Sequence, residues 1–169
     1  MNKRLLLSAV VLSLSAPCCW AAQIDEIIWE YPGYTITVER AGEVQIDFVL
    51  NQQGRSREDI ESHFSNYPEE KTRKFIASAA PLEELFRRVD SADWTPVKRS
   101  YRAPEGTFEY AGHEVLTRLI LKSDGAIVKE VELGSSREKE WPPLLLKTVN
   151  GISSIAEQGG PLPRGPFLN

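Results

Sequence analysis

Residues 34–50, YTITVERAGEVQIDFVL, decide the fold. Ile36 and Val38 alternate with Thr35, Thr37 and Glu39. After Arg40-Ala41-Gly42-Glu43 the alternation resumes, with Val44, Ile46, Phe48 and Leu50 set against Gln45, Asp47 and Asn51. A period of two sends one set of side chains to a core and the other to water. Gly42 supplies the left-handed residue that closes a short hairpin loop. The stretch predicts a half-buried antiparallel β-hairpin, whose apolar face other elements must cover.

Residues 115–133, VLTRLILKSDGAIVKEVEL, predict a second hairpin. Its turn is Lys122-Ser123-Asp124-Gly125, with Gly125 in the role of Gly42. Leu116 and Ile120 make the first strand apolar on both faces, which suits a central position. Residues 72–80 suit a further strand. Residues 23–29, with Ile24, Ile27 and Ile28 among acids, read as a lead-in segment or an edge strand, and Pro32-Gly33 turns the chain into the first hairpin.

Helices fill the gaps. Residues 56–67 carry Ile60, Phe64 and Tyr67 on one face, with Ser56 and Asp59 placed as a capping box and Pro68 as a stop. Pro81 opens a second helix at a position where its missing N–H is harmless. Leu82, Leu85, Phe86 and Val89 form its apolar stripe, worth about 6–12 kcal/mol gross when buried. Glu83–Arg87 and Glu84–Arg88 face water, at a few tenths of a kcal/mol each. Trp141-Pro142-Pro143 opens a last helix over 144–150, with Gly151 just past its end. The order of elements, without βαβ alternation, predicts an α+β fold: an antiparallel sheet of two hairpins and one or two further strands, with two or three helices on one face.

The chain has 169 residues and begins with Met1-Asn2-Lys3-Arg4, an apolar run from Leu5 to Leu14, and a small-residue exit ending in Ala21-Ala22. This pattern predicts an export signal over residues 1–21, too short to span a bilayer as a helix. A lipid-attachment cysteine is the weaker reading, because Pro17 precedes Cys18 where small residues are needed. Cleavage after Ala21 removes both cysteines, and with them disulfides and thiolate chemistry. Taking Lys3 and Arg4 from the 20 basic residues leaves 18 against 24 acidic ones, a net charge of −6. That balance argues against general nucleic-acid binding. One domain over 22–157 is expected, followed by a flexible Gly/Pro-rich tail over 158–169.

Chemistry is sparse. Residues 151–155 lack the second glycine of a nucleophile elbow. His113-Glu114-Val115-Leu116-Thr117 starts like the zinc motif HExxH but ends in threonine and enters a strand. His63 has no partner at helical spacing, and no carboxylate pair is singled out among the acids. The reading is a chain without enzymatic activity, cofactor or metal. The long connection over 95–113 is the candidate contact surface, since connections of that length usually carry function. Trp94, Tyr101, Phe108 and Tyr110 stand there among Lys98, Arg99 and Arg102, residue types enriched in interface hot spots. The bland alternative is that the aromatics pack the loop onto the core and the cations are solvated.

The motifs ITVERAGEVQIDF, PLEELFRRVDSADW, LTRLILKSDGAIVKEVEL and WPPLLLKTVNGI, in that order, resemble an uncharacterised family of small bacterial envelope domains. The resemblance spans residues 27–155, while 56–67 and 95–113 depart from it. It implies the α+β fold and brings no catalytic residues. By size, export and missing chemistry the chain also looks like the periplasmic immunity proteins of type VI secretion, which bind a secreted toxin. A protein partner and a periplasmic location without a stable membrane anchor are therefore expected. An accessory envelope protein and a cryptic hydrolase are the alternatives.

Overall fold

The computed structural model describes residues 23–48, 68–104 and 115–163. The expected export signal, the helix over 56–67 with His63, the loop residues Phe108, Tyr110 and His113, and residues 164–169 lie outside the described residues.

The fold is α+β. Among the described residues seven strands form one sheet: β1 Glu26–Tyr31, β2 Tyr34–Glu39, β3 Glu43–Asp47, β4 Thr72–Ile76, β5 Ser100–Tyr101, β6 Leu116–Ser123 and β7 Ala126–Gly134. Their order across the sheet is β4-β3-β2-β1-β6-β7-β5. Every pairing is antiparallel except β5 with β7. Helices α1, Ala79–Ser91, and α2, Pro143–Ala156, pack on one face and against each other.

Both predicted hairpins are present. β2 and β3 pair Ile36 with Ile46 and Val38 with Val44, all fully buried. Gly42 has φ +104° and its N–H donates to the Glu39 carbonyl at 2.9 Å, closing the loop. In the β6–β7 turn Asp124 and Gly125 both have positive φ, 50° and 75°, the type I′ geometry that matches the twist of two-residue hairpins. Phe48 and Leu119, at 6% and 0% exposure, belong to the same core.

β1 corrects the reading of residues 23–29 as a lead-in segment or edge strand. It is the middle strand, paired on one side with β2 and on the other with β6. Its outward acids disguise this position. Glu26 and Glu30 do not need open water, because β6 sets a cation against each. Lys122 donates to Glu26 at 2.8 Å, and Arg118 donates to Glu30 at 2.7 and 2.9 Å while also reaching Glu130. Inward, Ile27 and Trp29 enter the core.

The helices differ from expectation at their ends. α1 starts at Ala79, so Pro81 sits inside the first turn, where backbone N–H groups still lack helical acceptors. Leu82, Leu85, Phe86 and Val89 are its buried residues, as the stripe predicts. Glu84 takes both Arg87 and Arg88, and this replaces the expected Glu83–Arg87 pair. α2 does not stop at Asn150. It continues through Gly151 to Ala156, because Ile152, Ile155 and Ala156 extend the apolar face and outweigh the roughly 1 kcal/mol penalty of one helical glycine. Gly151 instead faces α1 at close range: a β-carbon there would lie 3.3 Å from Leu85 Cδ1.

A clamp fixes the start of the domain. Arg40 Nη2 meets both oxygens of Asp90 at 2.8 and 2.7 Å, and its guanidinium lies over the Phe86 ring. Asp90 accepts the Ile24 N–H and Arg40 donates to the Ile24 carbonyl, so both main-chain groups of Ile24 are held. At the other end, residues 158–163, expected to begin a flexible tail, are packed against β4. Gln158 accepts the Ser78 N–H, Gly159 lies against the Phe75 ring, Arg73 donates to the Pro161 carbonyl, and Pro163 is buried.

Candidate functional site

The segment from Trp94 to Arg102 leaves α1 and returns to the sheet as β5, at the end opposite β4. Short polar contacts shape it. The Trp94 indole N–H donates to the Val89 carbonyl at 2.9 Å, covering an acceptor that the end of α1 leaves open. The Thr95 N–H donates to Asp93 Oδ1 at 2.9 Å, and this bond holds the Asp93 carboxyl below its ordinary range. Val97 is buried and its N–H reaches the Trp94 carbonyl.

Lys129 ties this turn to the sheet. Its ammonium donates to the carbonyls of Trp94 at 3.0 Å and Val97 at 2.6 Å. Sequence reasoning missed this residue, although a signal was present. Lys129 shares its strand phase with Val131 and Leu133, which face the core. A lysine in an inward register must find acceptors for its charged head.

Beyond the turn, Tyr101 is buried beneath the segment and its hydroxyl accepts the Lys98 N–H at 3.2 Å. The Lys98 ammonium lies 5.8 Å from the Tyr101 ring centre. The Arg99 carbonyl accepts the Glu132 N–H at 2.8 Å, and Arg102 pairs with Glu132 at 3.4 Å. Of the predicted contact residues, Tyr101 and the half-buried Trp94 therefore hold the segment from below. Lys98 and Arg99 are exposed on top, Arg102 is half exposed beside them, and Phe108 and Tyr110 fall outside the described residues.

No protein-family model, curated protein or solved structure matches this chain.

Among the described residues no group of three or more His, Cys, Asp or Glu could hold a metal ion. No described helix is long and apolar enough to cross a membrane. What the segment offers is electrostatic: two or three cations on a ledge whose backbone is already fixed. Such a ledge can meet carboxylates without losing much conformational freedom.

Proposed function

We propose that this chain is a non-enzymatic periplasmic binding protein that inhibits a secreted toxin, in the manner of the type VI secretion immunity proteins it resembles. The contact surface is the ledge of Lys98, Arg99 and Arg102, and the partner presents an acidic patch. One observation carries this reading. The residues beneath the cations are tied at both ends, by Lys129 on the Trp94 and Val97 carbonyls and by Glu132 on the Arg99 carbonyl. Preorganisation lowers the ordering cost of association, and charge placed on such a surface raises the rate of encounter.

The test begins with capture of the partner from the native periplasm, identified by mass spectrometry. Affinity for that partner is then measured for the parent and for Lys98→Ala/Arg99→Ala. A loss of about tenfold or more, larger at low salt than at high, is expected for charged contacts of this kind. An unchanged affinity at low salt would reject the surface. Hydrolysis of peptidoglycan, lipid or peptide substrates by the purified chain would reject the non-enzymatic reading.

A further inference from the structure

Among the described residues, β4 is an outermost strand and pairs only with β3. Two bonds at its ends reveal which of its main-chain groups face away. The Ala77 N–H donates to the Gly42 carbonyl, and the Phe48 N–H donates to the Lys71 carbonyl, each at 2.9 Å. Both pairs fall in the register that sets Val44 opposite Phe75 and Ile46 opposite Arg73. In an antiparallel ladder, residues that exchange both hydrogen bonds with their partner alternate with residues that turn both groups outward. Residues 71, 73, 75 and 77 therefore bond to β3. Thr72, Lys74 and Ile76 point their N–H and C=O groups off the sheet.

The next residue in that outward series is Ser78, and its N–H is taken by the Gln158 side chain. For Thr72, Lys74 and Ile76 no main-chain partner lies among the described residues. All three residues are exposed, and Ile76, at 75%, is the most exposed large apolar side chain of the described residues. Three free donor–acceptor pairs in a row, beside an uncovered aliphatic side chain, form a template for another strand.

We propose that β4 is a strand-addition site. Its occupant is an extended segment of another protein, with a carboxylate opposite Lys74 and an aliphatic side chain beside Ile76. Charge selects this occupant over a second copy of the chain. Lys74 meets Glu43 of β3 at 3.3 Å, but this pair is exposed and therefore weak. Self-pairing centred on β4 would still set Lys74 directly against its own counterpart, and like charges directly opposite are unfavourable. A partner carboxylate turns the same ammonium into an attraction. The site stands at the far end of the sheet from the Lys98–Arg102 ledge and does not depend on it.

Amide exchange followed by NMR on the chain tests this, with a capped peptide of alternating valine and threonine around one central glutamate as the probe. In the free protein the amides of Thr72, Lys74 and Ile76 exchange about tenfold or more faster than those of Arg73 and Phe75. Millimolar peptide slows those three amides about tenfold, and replacing its glutamate by lysine weakens the effect about tenfold. Lys74→Pro removes an outward N–H, which an edge strand tolerates, and abolishes the protection while the circular dichroism spectrum is retained. Ile76→Lys does the same without a change of backbone, should the proline variant fail to fold. Four results would overturn the proposal: equal exchange along β4 in the free protein, no effect of peptide, protection retained in both variants, or protection that appears with chain concentration alone, which would mean a second copy.

Discussion

At the scale of single residues, three side-chain environments set measurable limits. Tyr34 is buried beside Tyr31 and near Glu157, and its hydroxyl is pushed well above the ordinary tyrosine value, first by burial and then by those two charges. The folded protein keeps this proton at a pH where the unfolded chain, titrating near 10.0, has lost it. The contribution is complete below that pH and shrinks as alkalinity rises. Urea midpoints should fall as pH rises above about 10, and less steeply in Tyr34→Phe. Gly159 gives a steric limit: a β-carbon there would lie 2.4 Å from two atoms of the Phe75 ring. Gly159→Ala should destabilise by about 1–3 kcal/mol in urea unfolding, as overpacking does. Asp90→Ala strips Arg40 of its carboxylate and leaves the Ile24 N–H without its acceptor, and a loss of about 1–3 kcal/mol is expected.

At the scale of elements, packing outweighs charge. Leu85 is 1% exposed between the sheet and α2, so Leu85→Ala should lose about 2–5 kcal/mol. Lys129→Met removes the tie between β7 and the 94–97 turn. Amide exchange at Val97 and Lys98 should speed up while the global unfolding midpoint moves little. Unchanged exchange at both amides would show that the lysine plays no part in holding the turn. This scale also shows what the sequence makes legible. The β2–β3 and β6–β7 hairpins are local, with strong alternation and glycine turns, and both were readable. The place of β1 was not, because its acids are matched by cations of β6 about 90 residues away, and local periodicity carries no trace of that. Gly151 misleads for a related reason. A glycine reads as a helix stop unless one knows that a second helix needs the space.

For the whole molecule, the α+β layering follows from the order of hairpins and helices, and that much was open to inspection. The candidate site was half legible. The aromatic and basic composition of the 94–102 segment marked it out, but composition does not tell that Tyr101 faces the core and Lys98 faces water. If the export signal is cut after Ala21, the intact mass of the mature protein will correspond to a chain starting at Ala22, and reducing agent will not shift its melting temperature, since no cysteine remains. A mass that retains Cys18 or Cys19, or carries acyl chains, would replace this with the lipid-anchored form. The position of β1 has one more consequence. The first of the described strands to emerge is the centre of the finished sheet, and one of its two neighbours is β6, made from residues 116–123. A chain delivered N-terminus first, from a ribosome or through a pore, waits with its middle strand half paired until two thirds of its length has followed. Closure is thus a late event, and fragments ending before Leu116 should clump rather than fold.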